Sequence, residues 1–211
     1  LQASTVDARA KHWTVLAVWI LPLLDAPTIF SHDAYSYAAQ GWLMENDINP
    51  YEGYPGLLPG VFADQVAQEW RFTRTPYGPL SLQLQHDIVR LAGFHPYWSA
   101  VMMRIPALVG VVLIGVFLPR LARRTGHDAS FAAWFGVLNP LLVVDFVGGA
   151  HNDSFMMGLM VFGLWLATTA SWAWVPAAVV IGASAAVKQP AVMAAVALPF
   201  IVHSMPSWHP R

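Results

Sequence analysis

The side chains in this sequence that could do chemistry fall mainly in three short stretches. "SHDAYSY" carries His32, Asp33 and Tyr35, "GGAHNDSFMMG" carries His151, Asn152 and Asp153, and "VKQP" carries Lys188. A carboxylate such as Asp33, held within hydrogen-bond reach of a hydroxyl, can act as a general base. A compact ammonium such as Lys188 can hold an anion through charge-assisted hydrogen bonds that strengthen as negative charge develops. Polar groups at the start of an apolar helix border a site suited to an anion, because free N–H groups and the helix macrodipole both favour negative charge there.

Each of these residues also has a structural reading. Asp33 could cap a helix, or ligate a metal with His32, although one adjacent His–Asp pair is a weak metal signature. Asn152 or Asp153 could cap the helix that follows, a task for which one residue suffices. Lys188 could snorkel to a membrane surface. Arg104 lies inside an apolar run, where an ionisable side chain calls for a partner or a cavity. It either forms a structural ion pair with Asp145 or Asp25, or reaches an anion as part of the site. Tyr77, in the rigid turn "TPYGPL", could meet a substrate ring or pack at an interface, and Tyr35 is a second candidate substrate contact. The sequence has no cysteine, so it offers no thiolate nucleophile or thiolate metal site. Nothing resembles a dedicated metal cage: no cofactor is required, and a divalent metal is optional.

The elements that must position these groups are apolar. A membrane-crossing helix needs about 20 mostly apolar residues, and the stretches 13–30, 97–118, 129–150 and 154–172 meet that test. A fifth region, 175–202, is interrupted by "VKQP", where Pro190 predicts a break. Basic residues in short loops stay on the cytoplasmic side. Arg9 and Lys11 before the first span, and Arg120, Arg123 and Arg124 after the second, therefore put residues 31–96 outside. The third span then exits near Ala150, and the fifth climbs outward towards Lys188. Asp33, the His151 to Asp153 cluster and Lys188 are thus expected on one face. Within 31–96, Ser31 and Asp33 predict a helix over 34–44, "NDINPYEGYPG" ends it with turn chemistry, and aromatic residues recur as they do at headgroup level. From Leu80, the stripe Leu80, Leu84, Ile88 and Leu91 predicts a second helix lying on the outer membrane surface.

Composition agrees with a membrane class. Of 211 residues, 56% are hydrophobic and 11% charged, against about 25% charged in soluble domains. The formal net charge of -1 gives no basic footprint for a nucleic-acid partner. The expected fold is all-α: a multi-pass transmembrane helical bundle with an outer-face loop region (31–96) carrying short interfacial helices. Residues 1–211 read as one part of a membrane-embedded domain belonging to a longer protein.

Five stretches in order, "SHDAYSYAAQGWL", "INPYEGYP", "TPYGPLSL", "LNPLLVVDFVGGAHNDSFMMGLM" and "AAVKQPAVMAAVALPF", together resemble the polyprenol-phosphomannose-dependent α-1,6-mannosyltransferases of actinobacteria, in the integral-membrane glycosyltransferase C class. The resemblance implies a mannose donor on a polyprenyl phosphate and a growing α-1,6-mannan acceptor, as in lipomannan biosynthesis, at the outer face of the plasma membrane. It implies Asp33 as catalytic base, and the "HND" (His151, Asn152, Asp153) and "VKQP" (Lys188) positions bordering the donor phosphate, with Arg104 as a further donor-binding candidate. A single displacement would invert the anomeric centre, turning a β-linked donor into an α-linked product. Relatives in this class use similar signatures with other lipid-linked sugars. Two alternatives from other classes remain open here. A secondary transporter also uses intramembrane charges and broken helices, and a noncatalytic membrane scaffold would tolerate loss of both Asp33 and Lys188.

Overall fold

The computed structural model describes the backbone of residues 2–204 and the side chains of residues 11–201. All regular structure among these residues is helical. In chain order the α-helices of seven or more residues are α1 (Gln2–Ile20), α2 (Asp33–Glu45), α3 (Pro79–Leu91), α4 (Pro96–Met102), α5 (Arg104–Arg124), α6 (Ala129–Val137), α7 (Asp153–Ala167), α8 (Trp174–Val187) and α9 (Ala197–Ser204), joined by loops, short helical turns and 3-10 and π segments. Local chemistry sets several starts. Proline opens α3 and α4, where its missing N–H would have had no partner in any case. Asp128 accepts a 2.7 Å hydrogen bond from the Phe131 N–H and caps α6.

The apolar stretches divide less evenly than expected. The first does not run as one helix to Phe30: α1 ends at Ile20, a 3-10 turn covers Leu21–Leu23, and Pro22 and Pro27 keep the chain from continuing as a helix. Arg9, on which the orientation of this stretch partly leans, lies outside the described side chains. Among the described residues, Pro96–Arg124 is the one helix long and apolar enough to cross a membrane, with a mean hydropathy of 2.4. Ala129–Val137 and Pro140–Gly148, bent by 41° where they meet, make a second if the pair counts as one span. The remaining apolar helices, Asp153–Ala167, Trp174–Val187 and Gln189–Ile201, are shorter, so helix length alone does not establish a multi-pass bundle.

Small residues let the central helices touch. Ser154 on α7 donates a 2.6 Å hydrogen bond to the Ala107 carbonyl of α5. A Cβ added to Gly110 would fall 2.2 Å from the Ser154 carbonyl oxygen, so the two backbones meet directly. Such close crossings replace hydrophobic drive where the surroundings are apolar. Ser184 on α8 repeats the device, donating to the Met156 carbonyl of α7 at 2.6 Å. The 31–96 region packs differently, with Tyr37, Ala38 and Ala39 of α2 in one apolar cluster with Ile88 and Val89 of α3 and with Phe62.

Helix α3 buries Ser81, Leu82, Gln85, Ile88 and Val89 against the protein, so of the expected stripe Ile88 turns inward while Leu91 is 74% exposed. The polar members of that face hold one another: the Ser81 hydroxyl accepts from Gln85 Nε2 at 3.0 Å and from Asn152 Nδ2 at 3.2 Å, while the amide oxygens of Gln85 and Asn152 stay buried without a partner. Glu45 at the end of α2 faces His86 at 2.8 Å and Arg90 at 3.8 Å, holding the far ends of the two helices together.

Arg104, the first residue of α5, joins the two loops that lead to the polar residues. It is 2% exposed, and its guanidinium donates to the carbonyls of Ala26 (2.8 Å) and Pro27 (3.1 Å) in one loop and of Val147 (2.9 Å) and Gly148 (3.1 Å) in the other. A backbone hydrogen bond from Ile29 to Gly148, 3.1 Å, ties the same loops. Both turn through a non-glycine residue in the left-handed region, Phe30 (φ 62°) and Ala150 (φ 55°). Each costs about 1–3 kcal/mol and persists only where the surroundings over-determine it. The second loop also leaves a π-helical turn, Val143–Gly148, an irregularity that recurs at functional sites.

Candidate active site

The clamped loops deliver Asp33 and His151 to one corner. Asp33 opens α2, its N–H donating to the Ser31 hydroxyl at 3.0 Å, so Ser31 supplies the capping oxygen and the Asp33 carboxylate is left to face outward. His151 stands against it, Nδ1 3.5 Å from Asp33 Oδ2, and its Nε2 lies 3.7 Å from Asp145 Oδ1. The imidazole is folded back over its own loop: a Cβ on Gly149 would sit 2.6 Å from the ring.

Two residues further on, Asp153 meets Lys188. Helix α8 ends at Val187, Lys188 takes extended backbone (φ −152°, ψ 128°), and a 3-10 turn follows over Gln189–Val196, so the chain breaks at the expected motif. The ammonium donates to both Asp153 oxygens, at 2.9 and 2.8 Å, and lies 5.8 Å from the centre of the Tyr77 ring, within cation–π range.

Tyr77 reaches this place because its turn is seated on the break in α8. The Gly78 N–H donates to the Val187 carbonyl at 3.0 Å. A Cβ at Gly78 would lie 2.2 Å from the Ala186 oxygen, so no larger residue fits without moving backbone. Thr75 fixes the same turn, accepting from the Tyr77 N–H at 3.2 Å and donating to Gln40 on α2 at 2.9 Å. Tyr77 meets Tyr37 edge to face, ring centres 5.1 Å apart. Burial pushes the Tyr77 phenol up to about 12, with the Asp33 and Asp153 carboxylates acting in the same sense. Tyr37 is held well above its ordinary value first by burial and then by Tyr77 and those carboxylates. Both phenols therefore stay neutral hydrogen-bonding groups near neutral pH.

Asp33, His151, Asp153, Lys188 and Tyr77 are thus brought together. Tyr35, two residues along α2 from Asp33, packs beside the apolar cluster of α2 and α3, its ring centre 6.0 Å from that of His32. Two expected site residues are placed otherwise. Arg104 forms no ion pair with Asp25 or Asp145 and is enclosed by carbonyls instead of facing an anion. Asn152 is 7% exposed and turned inward to Ser81, and its side chain does not cap α7. The adjacent trio is therefore divided, His151 to Asp33, Asn152 to the buried contact with α3 and Asp153 to Lys188. Three residues sequence reasoning did not assign to the site are Tyr37, Gln40 and Gly78. Polar residues spaced four apart on α3, Ser81 and Gln85, were the available signal that this face turns inward. Among the described residues, no group of three or more His, Asp or Glu side chains is arranged to hold a metal ion.

Apolar helices with a cluster of paired polar side chains beside a break and two tight loops define a class: all-helical proteins with polar groups concentrated at one end. Within it the chain belongs to the family described as alpha-(1->6)-mannopyranosyltransferase, N-terminal domain, whose model matches residues 1–206. It is 34% identical over 200 residues to alpha-(1->6)-mannopyranosyltransferase A of Corynebacterium glutamicum, an alignment covering 95% of this chain and 40% of that protein. It is 42% identical over 150 residues to an alpha-(1->6)-mannopyranosyltransferase of Mycobacterium tuberculosis (70% of this chain, 25% of that protein). With alpha-(1->6)-mannopyranosyltransferase A of the same organism it shares 35% over 185 residues (88% and 35%). The chain thus spans about two fifths or less of the length of these relatives. No solved structure matches it.

Proposed function

We propose that the protein to which this chain belongs transfers mannose from a polyprenyl-phosphate donor to a growing α-1,6-mannan glycolipid, at the outer face of the plasma membrane. The chain would be one part of a multi-pass membrane enzyme. Large apolar side chains left exposed along its helices, Phe131, Leu141, Val179 and Phe200 among them, fit burial in lipid or against further helices.

The acceptor 6-hydroxyl attacks the anomeric carbon. The bond from that carbon to the phosphate oxygen breaks with inversion, the hydroxyl proton passes to Asp33, and the bond's electron pair leaves with the polyprenyl phosphate. Lys188 neutralises that leaving group, and Tyr77 and Tyr35 contact the sugars. His151 stands close enough to orient the Asp33 carboxylate and to share its charge. The observation that carries the reading is that a partly exposed carboxylate, Asp33, and a partly exposed ammonium, Lys188, from opposite ends of the chain, both stand near Tyr77. A base and an anion holder are the two groups this displacement needs.

The test is transfer of radiolabelled mannose from polyprenyl-phosphate mannose to a mannan primer by the full-length protein in detergent, with linkage analysis of the product. An α-1,6-linked product that disappears in Asp33→Asn supports the reading. Absence of product with a protein that moves the lipid-linked sugar only across sealed membranes would indicate a transporter, and a product built from another lipid-linked sugar would correct the donor.

A further inference from the structure

On the other side of the Tyr77 turn lies an open groove of about 410 Å³, within the range of roughly 300–1,000 Å³ typical of small-molecule sites. It is formed by the end of α2 (Met44), the loop carrying Asp47, Asn49 and Tyr51, and the start of α3 (Pro79, Gln83). We propose that this groove holds the trailing sugars of the acceptor chain, so that the protein grips its glycan acceptor well behind the hydroxyl that reacts. This rests on the transferase reading above.

The chemistry of the walls favours a neutral polyhydroxylated ligand. No Lys or Arg lines the groove, which leaves nothing to hold a phosphate or a nucleic acid. Tyr51 is 44% exposed, yet its ring is not free to wander, because its hydroxyl donates to the Tyr77 carbonyl at 3.1 Å. A fixed, exposed aromatic ring offers a flat apolar face for a sugar's C–H groups, and ordering it costs little further entropy. Asp47 is exposed, and a carboxylate accepts charge-assisted hydrogen bonds from hydroxyls. The Gln83 amide is held by Asp87 through Nε2 at 2.9 Å, which points its polar head in a set direction.

The position also fits an acceptor. Met44 stands about 16 Å along α2 from Asp33 at 1.5 Å per residue, a distance that a few linked hexoses span. The Tyr51–Tyr77 hydrogen bond couples the groove wall to the turn that faces Lys188, so a chain lying in the groove presses on the turn that carries Tyr77.

The measurement is kcat/KM of the full-length enzyme for α-1,6-mannobiose and α-1,6-mannohexaose acceptors. In Tyr51→Leu and Asp47→Ala the preference for the longer acceptor over the shorter should fall about five- to ten-fold, while Tyr51→Phe, which keeps the ring and loses the hydrogen bond, should retain most of it. A second arm needs no transfer: binding of free α-1,6-mannohexaose to full-length protein carrying Asp33→Asn, with and without Tyr51→Leu. Equal losses at both acceptor lengths, or hexaose binding indifferent to Tyr51→Leu, overturn the proposal, and the groove is then a seat for the rest of the chain. Wild-type protein that transfers to neither acceptor yet binds hexaose through Tyr51 defeats the transferase reading and leaves the groove standing.

Discussion

The Lys188–Asp153 and His151–Asp33 pairs at the polar end of the molecule are built to different tolerances. Lys188 and Asp153 meet through both carboxylate oxygens at 2.8 and 2.9 Å. Asp33 and His151 approach only to 3.5 Å, beyond good hydrogen-bond length. The tight pair joins the break after α8 to the first turn of α7 and so closes a structural joint. The loose one leaves Asp33 able to accept a hydrogen bond from something else. A base needs that freedom, whereas a cation that must be in place before an anion arrives benefits from being held. Under the proposed function, this contrast would give proton transfer to the loose pair and anion binding to the tight one.

Replacing Asp33 by Asn gives the largest expected effect. Loss of a positioned general base costs typically about 10²–10⁴ in rate, so kcat for mannose transfer should fall by that factor. The melting temperature of the full-length protein should stay unchanged, because a 3.5 Å contact holds little. A fall in melting temperature comparable to that of a core substitution would make the loose pair structural and erase the contrast.

Lys188→Ala comes next and should act on two readouts together. A charge-assisted hydrogen bond is worth about 1.5–3 kcal/mol, or roughly 10- to 150-fold in affinity, so KM for the polyprenyl-phosphate donor should rise within that range. Stability should fall as well, since Asp153 loses its partner at a position where it is only 30% exposed. Donor KM unchanged with stability lowered would leave Lys188 a joint and nothing more. Gly78→Ala tests the same side without touching a charge. Its Cβ would press on backbone, not on a flexible side chain, and overpacking of that kind costs about 1–3 kcal/mol. Thermal unfolding should show the loss, and a compensating shift of the turn should loosen Tyr77 from Lys188 and raise donor KM.

Sequence made some of this legible and hid the rest for identifiable reasons. Helices α2 and α3 each start only one residue before the expected Ala34 and Leu80, because caps and apolar spacing are local signals. The approach of Asp33 to His151 and of Asp153 to Lys188 could be expected from alternating directions of the apolar stretches, a topological inference needing no side-chain detail. The partners of Arg104 were not legible: its guanidinium binds backbone carbonyls, and every residue has one, so the sequence gives no reason to prefer them over Asp25 or Asp145. Nor was the inward turn of Asn152, which depends on Ser81, itself held by Gln85, meeting it from 71 residues away in the chain.

The smallest expected effect sharpens the contrast most, because it separates holding a cation from using it. Asp153→Asn keeps the size of the side chain and one accepting oxygen but removes the negative charge beside Lys188. If Asp153 serves only to hold the ammonium, stability and donor affinity should fall together. If the ammonium is the donor's anion holder, removal of a competing carboxylate leaves a more positive site for the phosphate. A half-exposed pair of this kind is worth about 0.5–1 kcal/mol, so donor KM should drop about two- to five-fold, while the melting temperature falls slightly. The gain should shrink as salt is raised, since screening weakens a partly exposed charge more than it weakens packing. Opposite signs in affinity and stability, measured on one variant and dependent on ionic strength, are an outcome that a purely structural joint at Lys188 cannot produce.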